Sequence, residues 1–530
     1  MPRRAFAAIL LLVAHPALAQ HYAAHAVIEG HIGTVAFENS CSPAVQADLL
    51  RGIAMLHSFW YSAGEQMFRA VLANDPGCAI ADWGIAALMM NNALNGIGSN
   101  PVEAAKAQAA LEQARSIGAP TQRERDYIEA VVAYYKDFAT RPERDRQATR
   151  AAAYEALAAK YPDDDEARIF SALYIAGTQA QSDQSYTAYA RATDILEPLF
   201  RKYPNHPGIA HYLIHAYDAP PLAAKGVAVA RAYSVIAPDA PHAQHMPSHI
   251  FTRVGDWAAS ATSNERGFDA ALRGGEYSES QHAADYMVYA YLQQARDDAA
   301  ARATRAALAI SVPAPVPAAT FYARAAMPAR LLVERGDWQG AAHLPAVAAG
   351  QPFAADALTL FARAIGAARS GDAETALQDA ERLRAAAKAL AVAGNMYWAT
   401  EVGTQAIGAL AWAAYARGDK AAALAGMRDA ADREDRQEKH IVTPGRVLPA
   451  RELLGDMLME AGQPAAALAA YEASLAREPN RFRGLYGAAR AADASGERAK
   501  ATDYARRLLE MTKAADTPRP ELAWARTLVG

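Results

Sequence analysis

The chain has 530 residues, of which 52% are hydrophobic but only 8% aromatic, and its net charge is −4. Alanine inflates the apolar share, a composition that favours closely packed helices over strands. So small a charge on so long a chain argues against nucleic acid or an anionic membrane as the main partner.

Arg3 and Arg4 precede an uncharged apolar run from Ala5 to Ala14, and Ala17-Leu18-Ala19 has the small residues of a cleavage site. Residues 1–19 are therefore expected to be an export signal, with the mature chain starting at Gln20 in the periplasm or outside. The run is too short to span a bilayer, and no later stretch is apolar enough to do so. Residues 20–43 read as an N-terminal segment. Cys41 falls just before the first helix of the first pair and Cys78 just after the second, hence at the same end of an antiparallel hairpin. A disulfide between them is reasonable in an oxidising compartment, and two unpaired thiols are the alternative. In the same pair Phe59, Trp60 and Tyr61 read mainly as core and otherwise as a groove wall.

Repetition decides the fold. Residues Pro449 to Pro479 read as a helix with Leu453, Leu454, Gly455 and Leu458, a turn at Ala461-Gly462-Gln463, and a helix with Ala467, Tyr471 and Leu475. Gly52, Gly64 and Phe68 precede Pro76 at similar spacings. The inter-helix turn recurs at Gly255-Asp256, Gly336-Asp337, Gly371-Asp372, Gly418-Asp419 and Gly496-Glu497, where Gly ends one helix and the polar residue caps the next. Pro162, Pro204 and Pro238 are further helix stops. This pattern resembles the tetratricopeptide repeat. The resemblance covers most of residues 44 to 510, and the chain looks like a group of exported bacterial tetratricopeptide proteins with a histidine-rich middle. It implies an all-α, right-handed superhelix of antiparallel helix pairs whose first helices line a concave groove that binds peptide or protein. Residues 44–310 form one block and 320–530 another, joined by a proline-rich linker at 311–319. The charge run Asp432 to His440 reads as a solvated helix end. Arg451 and Glu452, which follow it, read mainly as capping residues and otherwise as facing the groove.

Six histidines lie between 206 and 249. His211 and His215 follow Pro204 by seven and eleven residues, and His245 and His249 follow Pro238 by the same offsets. Equal offsets mean equivalent positions on neighbouring first helices, and each i, i+4 pair shares a face. Asp218 and His242 extend that face by one turn, and His282, Asp285 and Tyr289 share a face of the next first helix. His57 and His440 come near only if the superhelix curls tightly. Three readings stand. Imidazoles of this kind hold zinc or copper, with His211, His215, His245 and His249 converging on an ion and His242, Asp218, His282 and Asp285 as further ligands or as partners of the ligand rings. Alternatively His206, Arg253 and Tyr289 help line a polar groove for a peptide or small anion. In the third reading the histidines are satisfied by packing alone. His211-Tyr-Leu-Ile-His215 lacks the glutamate of a zinc-protease helix. Enzymatic activity, as a metal-dependent hydrolase, stays open.

Overall fold

The computed structural model describes residues 30–530, so the expected signal and cleavage point lie outside the described residues. Among the described residues there are helices, turns and loops and no strand. Antiparallel pairs follow one another from Gln46–His57 with Tyr61–Asn74 to Phe482–Ala494 with Arg498–Met511, and Pro520–Val529 closes the array. The described residues thus form the expected all-helical superhelix.

The local signals act as their chemistry requires. Helices end two residues before Pro76, Pro162, Pro204, Pro238 and Pro479. Gly371 turns left-handed at φ 88°, and the Asp372 carboxylate then accepts the Thr375 amide of the next helix. Asp256, Asp337 and Asp419 cap their helices in the same way, each worth about 1 kcal/mol. A Cβ on Gly455 would come within 2.6 Å of the Tyr471 ring, and one on Gly52 within 2.8 Å of Phe68. These glycines let two helices touch across an aromatic ring. Cys41 and Cys78 are joined by a disulfide, Cα to Cα 4.8 Å, which ties the first hairpin at one end.

The array curls tightly enough for its two halves to meet. Gln437 to Pro449 is a non-helical strap in which every residue except Ile441 is buried. The Glu438 amide donates to the Gln181 carbonyl at 2.8 Å, and Tyr186 donates to the Glu438 carboxylate at 2.8 Å. From the other side Tyr286 donates to the carbonyls of Ile441 and Thr443, at 3.2 and 3.0 Å. Arg330 donates to the Gly445 carbonyl at 2.7 Å. The solvated end expected for Asp432 to His440 is corrected here: Gln437 to His440 turn inward, because their charges find partners inside. The concave groove beside the histidines is filled by the chain's own strap rather than left open for a peptide. Ser311 to Pro317 connects the helices Asp297–Ala309 and Ala318–Val333, which pack against each other.

Candidate metal centre

The helices Pro207–Tyr217, Pro241–His245, Pro247–Val254 and Tyr277–Gln293 lie side by side and present their imidazoles to one another. The rings gather into two triads, His211 with His215 and His242, and His245 with His249 and His282. Within each triad one potential ligand atom per residue lies within 4.8 Å of the others. The triads adjoin: ring centroids are 5.9 Å apart for His215 and His249 and 5.9 Å for His242 and His245. The expectation of four imidazoles converging on one ion is therefore corrected to two sets of three. His242 lies one turn ahead of His245 and reaches back to the preceding helix, and His282 completes the other set from the following one.

Hydrogen bonds fix which ring nitrogen faces inward. His211 Nδ1–H donates to the His57 carbonyl at 2.7 Å, and His242 Nδ1–H to the Glu279 carboxylate at 2.5 Å. His249 Nδ1–H donates to Asp218 at 2.9 Å. His245 Nδ1–H donates to the Asn264 amide oxygen at 2.6 Å, and that amide is oriented by its own donation to the Ser260 carbonyl. Each of these four rings therefore turns a bare Nε2 lone pair inward. The Nε2 atoms of His245 and His249 face each other at 3.1 Å, and those of His211 and His215 at 3.0 Å. His242 Nε2, His215 Nδ1 and His282 Nδ1 are buried without a hydrogen-bond partner. Two nitrogens bound to one zinc at 2.0–2.1 Å in tetrahedral geometry stand about 3.3 Å apart, close to both spacings.

Burial pushes His211, His215 and His245 well below the ordinary imidazole range, and neighbouring imidazoles push the same way. His282 is lowered to about 3, again mainly by burial. Neutral rings are the form that binds metal. Burial by itself would raise the Asp218 carboxyl, but Lys439, Arg253 and His249 hold it well below its usual value. Phe59, at a left-handed φ of 52°, covers the first triad, with its ring 4.4 Å from His211 and 5.6 Å from His242. A left-handed bulky residue costs on the order of 1–3 kcal/mol, which its packing against these rings offsets. Tyr286 lies against the second triad, 4.9 Å from His245 and 4.8 Å from His249.

A third cluster supplies the contrast. His57 and His206 both donate to Glu166, at 3.0 and 2.9 Å. His57 Nδ1 accepts from Tyr212, and His206 Nδ1 accepts the Ile209 amide as the cap of its helix. Every nitrogen there has a partner, so the cluster is complete without an ion. It also places the His57 carbonyl that orients His211.

Several expected site residues turn elsewhere. Asp285 pairs with Arg330 at 2.9 Å, with both side chains fully buried, and is no partner of the imidazoles. A buried arginine from a helix 45 residues on captures it. Tyr289 packs at the joint with the C-terminal half, bonded to Arg481 and Glu478. His206 serves as a helix cap, and Arg253 is committed to Asp218 at 2.7 Å and Glu438 at 3.3 Å. Tyr289 is buried at that joint and Arg253 borders only a small cleft beside Lys439, whereas His206 borders an open cleft of about 840 Å³ shared with Arg123, Asp164 and Lys202. Glu279 and Lys439, absent from the expected set, belong to the site. Glu279 was legible as an acid one turn before His282. Lys439 arrives from the far half of the chain, and no local signal marks it.

Fold and site together define a helix-pair superhelix with two buried, adjoining histidine triads. No family model matches the chain, and no curated protein is similar to it. Among solved structures it is similar to human IFIT1, a dimer with m7Gppp-AAAA, at 13% identity and a TM-score of 0.35. That match covers 78% of this chain and 87% of the other. So low a score carries nothing about ligand or topology, and the fold rests on the helix pairs themselves.

Proposed function

We propose that this chain is a metalloprotein that holds two transition-metal ions, one in each histidine triad. The observation that carries the reading is the pair of Nε2 atoms of His245 and His249, 3.1 Å apart, both left as bare lone pairs by the bonds their Nδ1–H groups make. Two lone pairs at that distance repel in a buried site unless a cation lies between them. Imidazole-only donor sets suit zinc and copper. Three protein ligands per ion leave a position open for chemistry, as in catalytic rather than structural sites. The hydrolase alternative draws on the same open position, through a metal-bound water, and the strap restricts it to small substrates. The disulfide supports an oxidising, exported setting, and the helix pairs support kinship with tetratricopeptide arrays.

The test is elemental analysis of untagged protein. Two equivalents of zinc or copper per chain are expected, with His211→Ala and His245→Ala each losing one. A chain that carries no metal and takes up neither ion overturns the proposal.

A further inference from the structure

Resting on that two-ion reading, the surroundings of the triads say what the open positions take. Imidazole ligands bring no negative charge to a bound ion. Two divalent ions would bring four positive charges into a buried space, where charge must be matched. The adjoining carboxylates are Asp218, Glu279 and Glu438; Asp218 is already shared by Arg253 at 2.7 Å, His249 at 2.9 Å and Lys439 at 3.5 Å, and Glu438 by Arg253 at 3.3 Å and Arg477 at 2.9 Å. The loaded site is short of negative charge.

The second observation is Lys439. Its side chain is 3% exposed, and its ammonium makes one long contact, to Asp218 at 3.5 Å. An ammonium has three donors, and one long contact leaves two of them free to take a ligand from the cleft beside it. The third observation is the space beside it. A cleft of about 20 Å³ is lined by His215, Asp218, Arg253, Glu438 and Lys439. A water needs roughly 10–15 Å³ by this measure, so the cleft suits a ligand of one to three atoms better than a tetrahedral oxyanion or an organic substrate.

We infer that the cleft is a binding site for a small inorganic anion, held between the Lys439 ammonium and the ion of the His211, His215 and His242 triad. Hydroxide, azide and reduced forms of dioxygen have this size and charge. The anion supplies the missing negative charge and the acceptor that Lys439 lacks. Lys439 comes from the strap, so the strap completes the site as well as covering it.

The experiment uses the copper-loaded full chain, with two ions per chain confirmed first, and follows azide binding by its charge-transfer absorbance. Azide is expected to bind and phosphate not to compete. Lys439→Met should keep both ions, at some loss of melting temperature from the broken pair with Asp218, while binding azide roughly tenfold to a hundredfold more weakly, the range for losing a charged hydrogen bond. Lys439→Arg should restore most of the affinity. Equal azide affinity in a fully loaded Lys439→Met protein overturns the inference, as does competition by phosphate. If Lys439→Met is unstable, Lys439→Gln, which keeps a polar head but no charge, takes its place in the same azide comparison. A parent chain that takes up no metal overturns the two-ion reading, and this inference with it.

Discussion

Asp218 and Glu279 each hold one imidazole by its Nδ1–H, His249 and His242 respectively. Partners of this kind fix ring orientation and raise ligand basicity, and their loss typically weakens metal binding 10- to 100-fold. Asp218→Asn is therefore expected to weaken the ion at His245, His249 and His282 by roughly that factor, and Glu279→Gln the ion at His211, His215 and His242. Stepwise metal titration by calorimetry checks both, and equal weakening of both ions by one substitution would contradict the assignment. At this scale the sequence showed a good deal. The repeated offsets after Pro204 and Pro238 pointed to four of the six ring ligands, and helical spacing to the other two. It could not show how the rings divide, which depends on the angle between neighbouring helices. Nor could it show that Asp285 would be taken by Arg330, a partner distant in sequence.

The strap is the element whose behaviour follows most directly from one side chain. His440 donates from Nε2 to the Asn95 carbonyl at 3.3 Å and accepts the Val442 amide on Nδ1 at 3.2 Å. Both bonds require the neutral ring, and burial lowers its pKa to about 4. A free imidazole titrates near 6.5, so the unfolded chain binds more protons than the folded one between those values. The stability that His440 contributes is complete above about 6.5 and is lost as the pH falls toward 4. Hydrogen exchange across residues 436–448 is expected to quicken from pH 7.5 to pH 5, and His440→Gln should flatten that dependence. An exchange rate that follows intrinsic chemistry alone would refute it. The strap was illegible beforehand because a dense charge run is normally solvated. Here Glu438 and Lys439 are paired inside with Arg253, Arg477 and Asp218. By contrast the turns and helix stops were legible, since Gly, Asp and Pro act through their own backbones.

Across the whole molecule the two halves are stitched at many points. Trp257 donates to the Asn480 carbonyl at 2.7 Å, Phe482 donates its amide to Gln293 at 2.8 Å, and Arg519 binds Asp297 at 2.9 Å. A protease site placed in Ser311 to Pro317 and cut should leave two fragments that co-elute under native conditions and separate in urea. Fragments that part without denaturant would show the halves to be independent. Binding ions to the folded chain alone adds stability by mass action, so chelation is expected to lower the melting temperature in a manner restored by zinc or copper.

The two orienting carboxylates also cross over. Asp218 ends the helix that carries His211 and His215, yet it holds His249 of the other triad. Glu279 sits on the helix of His282, yet it holds His242. An ion arriving in one triad stiffens the helix whose acid sets up its neighbour, so the first ion prepares the place of the second. The two sites should then be coupled, the shared helices favouring the second ion while the charge of the first opposes it. Native mass spectrometry at one equivalent of metal would resolve the species, and Asp218→Asn or Glu279→Gln, which cut the link, should raise the singly filled share.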